Sequence, residues 1–318
     1  MIQLPPPATE PTMYFVGVTT GQSSIMKVFP HWAKALGIDA VLKGIDVTIH
    51  APADDYRQVV DFIKGDPLSL GALVTTHKID LLTAARDRFE DLDKFAELLG
   101  EVSSISKSDG RLCGHAKDPI TSGLALEAFL PTDWWKQTDG EALVFGAGGS
   151  SLAITMYMMD PRHGDNRPGR IVVTNRSLPR LEEMQRIHSE LTARSSDWKL
   201  PCTYHHCPEL AKNDGVLAEM PACSLVMNST GLGKDRPGSP ITDAGQFPRR
   251  GLAWDFNYRG DLQFLVQARR QRSDKDLVVE DGWIYFIHGW TQVIAEVFHV
   301  EIPLDRIDEL SRIAASVR

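Results

Sequence analysis

Short apolar runs alternate with longer amphipathic stretches along nearly the whole chain, the pattern of strands separated by helices. Residues 1–12, with Pro5, Pro6 and Pro7, read as an irregular arm. A strand over 13–18 and a helix over 28–36 follow, the helix closed by Gly37 at its C′ position. The pattern then predicts a strand over 41–47, a helix over 53–64, a short buried strand over 70–75 and a helix over 78–89. Residues 102–107 and 111–114 flank Ser108, Asp109 and Gly110, a hairpin turn. A helix over 120–129 ends where Leu130, Pro131, Thr132 and Asp133 break the pattern. Beyond residue 141, strands near 143, 172, 203, 226, 254 and 278 alternate with helices near 154, 185 and 266. Two closing helices, over 282–298 and 303–317, are placed to return to the first half, which would put an active site in a cleft between two lobes.

This alternation predicts an α/β protein of two domains. The first would span residues 1–130 and bind substrate, joined by the closing helices over 283–318. The second, over 131–282, would be a Rossmann domain. Its signature is the turn Gly146, Ala147, Gly148, Gly149, Ser150 and Ser151, which links the apolar run 142–145 to a helix. Glycines there let the backbone approach a pyrophosphate, and the helix start offers free N–H groups and a positive dipole end. A bare match of this kind also describes a structural strand-to-helix turn. The next strand ends in Asn175, Arg176 and Ser177, with Arg180 one turn on. An acid at that strand end would select the bare 2′-hydroxyl of NAD, whereas arginine suits a 2′-phosphate. Two guanidiniums make a phosphate clamp, so the expected cofactor is NADP rather than NAD. Asn228 and Thr230 would sit at the end of a later strand, facing the cofactor.

Composition narrows the partners. A net charge of −8 over 318 residues argues against a sequence-independent nucleic-acid binder, which needs a basic surface, and leaves room for local basic pockets. No apolar stretch approaches the ~20 residues of a membrane span, and no signal-peptide pattern opens the chain. Cys113, Cys202, Cys207 and Cys223 show no paired framework and suit a reducing cytoplasm. The run from Cys202 through His205 and His206 to Cys207 has ligand-type residues without zinc spacing, so no metal is expected.

Several further motifs occur in order: Gly17 with Ser23; Val74 and Thr75 with Lys78; Gly110, Arg111 and Leu112 with Gly114 and Asp118. After the Gly146 turn and the Asn175 run come Asn228-Ser229-Thr230-Gly231-Leu232-Gly233, then Pro237-Gly238-Ser239-Pro240, then Asp255 with Tyr258. In this arrangement the chain resembles the shikimate dehydrogenase family over nearly its whole length. The resemblance implies reversible hydride transfer between NADP(H) and a ring hydroxyl of shikimate, quinate or a related hydroxy acid. It places Tyr258 with the cofactor-binding residues, makes a homodimer plausible, and maps the family's catalytic lysine and aspartate onto Lys78 and Asp118. The chemistry asks for such a pair, because oxidising a secondary alcohol needs a base for the hydroxyl proton and the reverse direction an acid. Taken singly, Lys78 also fits a solvated lysine at a helix start, and Asp118 an N-cap.

The departures from the family pattern cluster in the first lobe. A Ser-x-Ser pair that grips the ring carboxylate becomes Ser23 and Ile25, with Ser24 between. The family's Asn-Val-Thr becomes Leu73-Val74-Thr75, and the approach to the lysine is compressed to Thr76-His77-Lys78. A substrate-binding asparagine becomes Ser103, Asp-Asn-Thr-Asp becomes His115-Ala116-Lys117-Asp118, and a glutamine falls at His288 or Gly289, with Gln292 a turn further on. Each lost hydrogen-bond partner would cost ~1–3 kcal/mol of shikimate binding. The expectation is therefore retained chemistry on a changed hydroxy acid or polyol, its carboxylate held by Ser23, Ser24 and Lys117, with Thr75, Ser103, His288 and Gln292 also lining the substrate. His77 and His288 read equally as a loop residue and a satisfied core group. A catalytically silent NADP-binding sensor is the competing class, and retention of both Lys78 and Asp118 argues against it.

Overall fold

The computed structural model describes residues 2–234 and 236–317. It divides into two compact units, Met1–Lys117 with Ile287–Arg318, and Asp118–Phe286. Among the described residues no helix is long and apolar enough to cross a membrane.

The first unit holds β1 (Thr12–Gly17), α1 (Ile25–Leu36), β2 (Val41–Asp46), α2 (Ala53–Gly65), β3 (Ser69–Val74) and α3 (Lys78–Ala85). It continues through β4 (Asp91–Leu92), α4 (Lys94–Leu99), β5 (Ser104–Ser108) and β6 (Arg111–His115). The sheet order is β2-β1-β3-β5-β6-β4. β1 runs parallel to both β2 and β3, and β5 pairs antiparallel with β3 and β6. The strands and helices expected before residue 118 are present, with moved ends. α1 begins at Ile25, and α3 stops at Ala85, where a single 3-10 turn over Arg86–Arg88 brings Phe89 into the core. α4, not expected from the pattern, is short but well capped: Asp93 Oδ1 accepts the Ala96 N–H at 2.7 Å, and Gly100 ends it in a left-handed conformation.

The second unit holds α5 (Asp118–Glu127), α6 (Trp134–Gln137), β7 (Ala142–Phe145), α7 (Gly149–Met159), β8 (Ile171–Asn175), α8 (Leu178–Arg194) and β9 (Cys202–His206). Next come α9 (Leu210–Ala218), β10 (Leu225–Asn228), β11 (Leu252–Asp255), α10 (Gln263–Lys275) and β12 (Val278–Glu280). Its sheet, ordered β12-β11-β10-β7-β8-β9, is parallel throughout. That is the Rossmann order, with its reversal between β7 and β10. Parallel strands are covered on both faces, which explains why β7 is a fully buried apolar run. Ala142 and Val144 join a core with Ile154, Met158, Leu181 and Met184. Leu143 and Phe145 join the opposite core with Phe264, Leu265 and Ala268.

The closing helices are α11 (Trp283–Phe298) and α12 (Leu304–Val317). The division at Phe286 and Ile287 falls within α11. In the first unit the buried Trp32 of α1 donates its indole N–H to Leu310 O of α12 at 2.8 Å, and Phe15 meets Trp290 edge-on at 5.0 Å. The other division lies at Lys117 and Asp118 rather than at residue 130. α5 packs on α7, and the Tyr157 hydroxyl donates to Glu127.

Candidate active site

In the second unit the glycine turn lies at the carboxyl end of β7. Gly146 has φ +112°, a conformation glycine tolerates and side chains do not, and its N–H bonds Thr174 O at 2.8 Å. A Cβ there would lie 3.1–3.2 Å from the hydroxyls of Ser229 and Ser151. Those hydroxyls are 2.6 Å apart, and Ser229 Oγ donates onward to Phe145 O at 2.8 Å, so Ser151 donates to Ser229. Gly148 differs: it is the extended N-cap of α7, and a Cβ there would meet nothing within 4 Å. Open space before the unpaired N–H groups of a helix start suits an anion. Ala147 is buried, Gly149 is exposed, and Ser150 is partly so.

Asn175 ends β8, its amide donating to Ser177 O at 3.1 Å, while Arg176 and Arg180 are exposed. The donor set around the turn therefore fits a phosphorylated dinucleotide: backbone N–H groups for a pyrophosphate and guanidiniums for a further phosphate. Asn228, expected to face the cofactor, is fully buried. Its amide donates to Asp255 Oδ2 at 3.0 Å and Leu232 O at 3.2 Å, and its Oδ1 accepts from Thr230 N–H and Oγ1. Burial raises the Asp255 carboxyl to about 6, against the hydrogen bonds from Asn257 and Asn228 that oppose the shift. This network shapes the loop after β10. Thr230 remains exposed, and the Tyr258 ring lies 4.9 Å from Phe286 and 5.7 Å from Trp283.

In the first unit Lys78 opens α3, directly after a tight turn. Thr76 sits at φ +60°, an outlier for a β-branched residue, and His77 N–H bonds Thr75 O at 2.5 Å. Thr75 N–H is held by Val16 O at 3.0 Å, so the compressed approach to Lys78 is accommodated by strain beside the β1 and β3 ends. His77 is buried, with Nδ1 3.1 Å from the Tyr56 hydroxyl, and burial lowers its pKa despite the nearby backbone of Gly17 and Val47. Val102 N–H bonds Lys78 O at 3.2 Å, placing the buried Glu101 in the segment alongside the lysine. Glu101 was not anticipated.

Ser103 is buried and committed: its Oγ accepts the Lys117 N–H at 2.8 Å and lies 3.4 Å from His115 O. Lys117, expected to hold a substrate carboxylate, instead bonds Glu296 Oε2 at 2.5 Å, a partner on α11 that no local pattern discloses. Glu296 Oε1 also lies 3.2 Å from His115 Nε2. Ser23 and Ser24 are half-buried ahead of α1, with no side-chain cap bond from Ser24. On α11, His288 is buried and Gln292 half-buried. In the second unit Asp118 begins α5, and its carbonyl accepts the Ser122 hydroxyl at 2.7 Å.

The Cys202–His206 strand is β9. His205 Nε2 lies 3.3 Å from Thr203 Oγ1 and His206 Nε2 3.0 Å from Arg176 O, and burial raises the Cys202 thiol to about 11.

No family model matches the chain. The shikimate dehydrogenase (NADP(+)) of Brucella abortus (strain S19) is 28% identical over 227 residues, 71% of this chain and 68% of that protein. Among solved structures, shikimate 5-dehydrogenase from Thermus thermophilus, in complex with NADP(H) and shikimate, superposes with a TM-score of 0.67 at 20% identity, covering 95% of this chain and 99% of that one. Quinate dehydrogenase from Corynebacterium glutamicum, in complex with NAD, gives 0.75 at 17% identity, covering 96% and 99%. The chain is similar in sequence to shikimate dehydrogenases and has their two-domain fold, with a Rossmann domain as its second unit.

Proposed function

We propose that the chain is an NADP-dependent dehydrogenase of shikimate dehydrogenase type. It would interconvert a ring hydroxyl and ketone of shikimate, quinate or a related hydroxy acid. The observation that carries the reading is the open space before α7 at Gly148, together with Arg176 just past the end of β8 and Arg180 in the first turn of α8. The similarity to NADP-dependent shikimate dehydrogenases supports it. In this reading the first unit binds substrate and the second NADP. Gly146 to Ser151, Asn175, Arg176, Arg180, Thr230 and Tyr258 serve the cofactor, with Asn228 shaping its loop. Ser23, Ser24, Thr75, His288 and Gln292 serve the substrate.

Bound NADP supplies the hydride chemistry. The chain's task is the proton. Lys78 Nζ would accept the proton of the substrate hydroxyl and return it in the reverse direction, with Asp118 as the second proposed proton-handling group. Replacement of hydrogen-bonding family positions by Leu73 and Ser103 supports a substrate that makes fewer bonds there than shikimate does. A cytoplasmic location, supported by four free cysteines, and a homodimer, tested by sedimentation velocity, complete the reading.

The deciding experiment mixes the protein with NADP or NAD and a panel of cyclic hydroxy acids and polyols, following absorbance of the reduced nicotinamide. Turnover with NADP on a carboxylated member is the expected result. Tight NADP binding without turnover on any member would make the chain a sensor instead.

A further inference from the structure

Three residues of α11 share one side of the helix at spacings of four: His288, Gln292 and Glu296. The last of them meets the end of β6 and the residues just beyond it: Oε2 accepts from Lys117 Nζ at 2.5 Å, and Oε1 lies 3.2 Å from His115 Nε2. His115 Nε2 also lies 3.0 Å from Ser106 Oγ, and the Lys117 N–H is held by Ser103 Oγ at 2.8 Å. The strip 115–117 is therefore tied to β5 on one side and to α11 on the other. Its side chains are mostly withdrawn from water, 16% exposed at His115, 13% at Lys117 and 25% at Glu296. Burial alone would raise the Glu296 carboxyl. The Lys117 hydrogen bond and the Lys117 charge lower it, and the balance holds the carboxyl below its ordinary value, while burial lowers the pKa of the neighbouring His115.

We propose that Glu296 is a positioning residue for the substrate-binding residues of the first unit. It locks the face of α11 that bears His288 and Gln292 to the strip that runs into Asp118. The proposal rests on the dehydrogenase reading above for its kinetic meaning, but the lock itself does not. A half-buried ion pair whose partner is deleted leaves Lys117 uncompensated, so a specific misplacement is expected rather than general loosening.

The test uses the full chain with Glu296→Gln and Glu296→Asp, and shikimate or quinate as probe, whichever the parent protein oxidises. Glu296→Gln should raise KM for the probe by about tenfold to a hundredfold, with kcat changed far less and the NADP Kd within about twofold. Glu296→Asp, which keeps the charge, should recover most of the loss. A probe KM within twofold of the parent in Glu296→Gln, or a loss that Glu296→Asp does not reduce, overturns the proposal. If the parent turns over neither probe, the dehydrogenase reading falls for these substrates, and amide hydrogen exchange decides the lock. Exchange over 115–117 and 287–293 should be about tenfold faster in Glu296→Gln, and unchanged exchange there rejects it.

Discussion

The Ser151 and Ser229 hydroxyls lie 2.6 Å apart and pin the glycine turn after β7 to the end of β10. Gly146 is wedged against both, at φ +112°, whereas Gly148 faces open space. The two glycines therefore do different work. Gly146→Ala should destabilise the fold by ~1–3 kcal/mol through strain at a forbidden φ. Gly148→Ala should leave the urea midpoint nearly unchanged but weaken NADP binding about tenfold or more, by filling the approach to the helix start. Calorimetric titration alongside urea unfolding separates the two effects. Equal loss of stability in both variants would refute the assignment.

Arg176→Ala should lower NADP affinity by about tenfold to a hundredfold, the worth of a charge-assisted phosphate contact, while NAD affinity stays within about twofold. Because the arginine is exposed, raising ionic strength should weaken NADP more than NAD in the parent and erase that difference in the variant. Fluorescence titrations at two salt concentrations supply all four comparisons.

Lys78→Gln and Asp118→Asn should each reduce kcat by about 10²–10⁴ without altering the NADP Kd, as expected for groups that handle a proton rather than bind cofactor. Stopped-flow measurement of nicotinamide reduction reads the chemical step directly. Retained kcat in Lys78→Gln would remove the lysine from the mechanism.

His188 provides a test of stability against pH. Buried among α7, α8 and β9, it lies 2.8 Å from Thr155 Oγ1 and 2.7 Å from the Tyr204 hydroxyl, and burial lowers its pKa to about 4. The unfolded chain would bind a proton near pH 6.5, so its stabilising contribution is complete above that value and is lost as pH falls towards 4. His188→Leu should cost ~1–3 kcal/mol at pH 7.5 by stranding the hydroxyls. It should also remove about 2 kcal/mol of the parent's loss between pH 7 and pH 5. Parallel pH slopes for the two proteins would contradict this.

What was legible in the chain was what local pattern encodes. Buried parallel strands such as β7 are unbroken apolar runs, Gly37 closes a helix in a left-handed conformation, and Gly146 holds a φ that side chains do not tolerate. Those constraints act within a few positions, so periodicity and spacing expose them. α4 and α6 escaped because helices of six and four residues repeat their pattern too few times to stand out, and α9 escaped as well.

The alternation of strands and helices and the glycine turn that opens the Rossmann helix were readable along the chain. Which polar groups are already spoken for emerges only once the chain is folded. Asn228 is taken by Asp255, 27 positions away, and Lys117 by Glu296, 179 positions away. Such pairings are set by burial, which compels every desolvated charge or amide to find a partner wherever the fold brings one. No local spacing records that search, so a lysine that reads as a substrate ligand along the chain is found paired with a carboxylate 179 positions away.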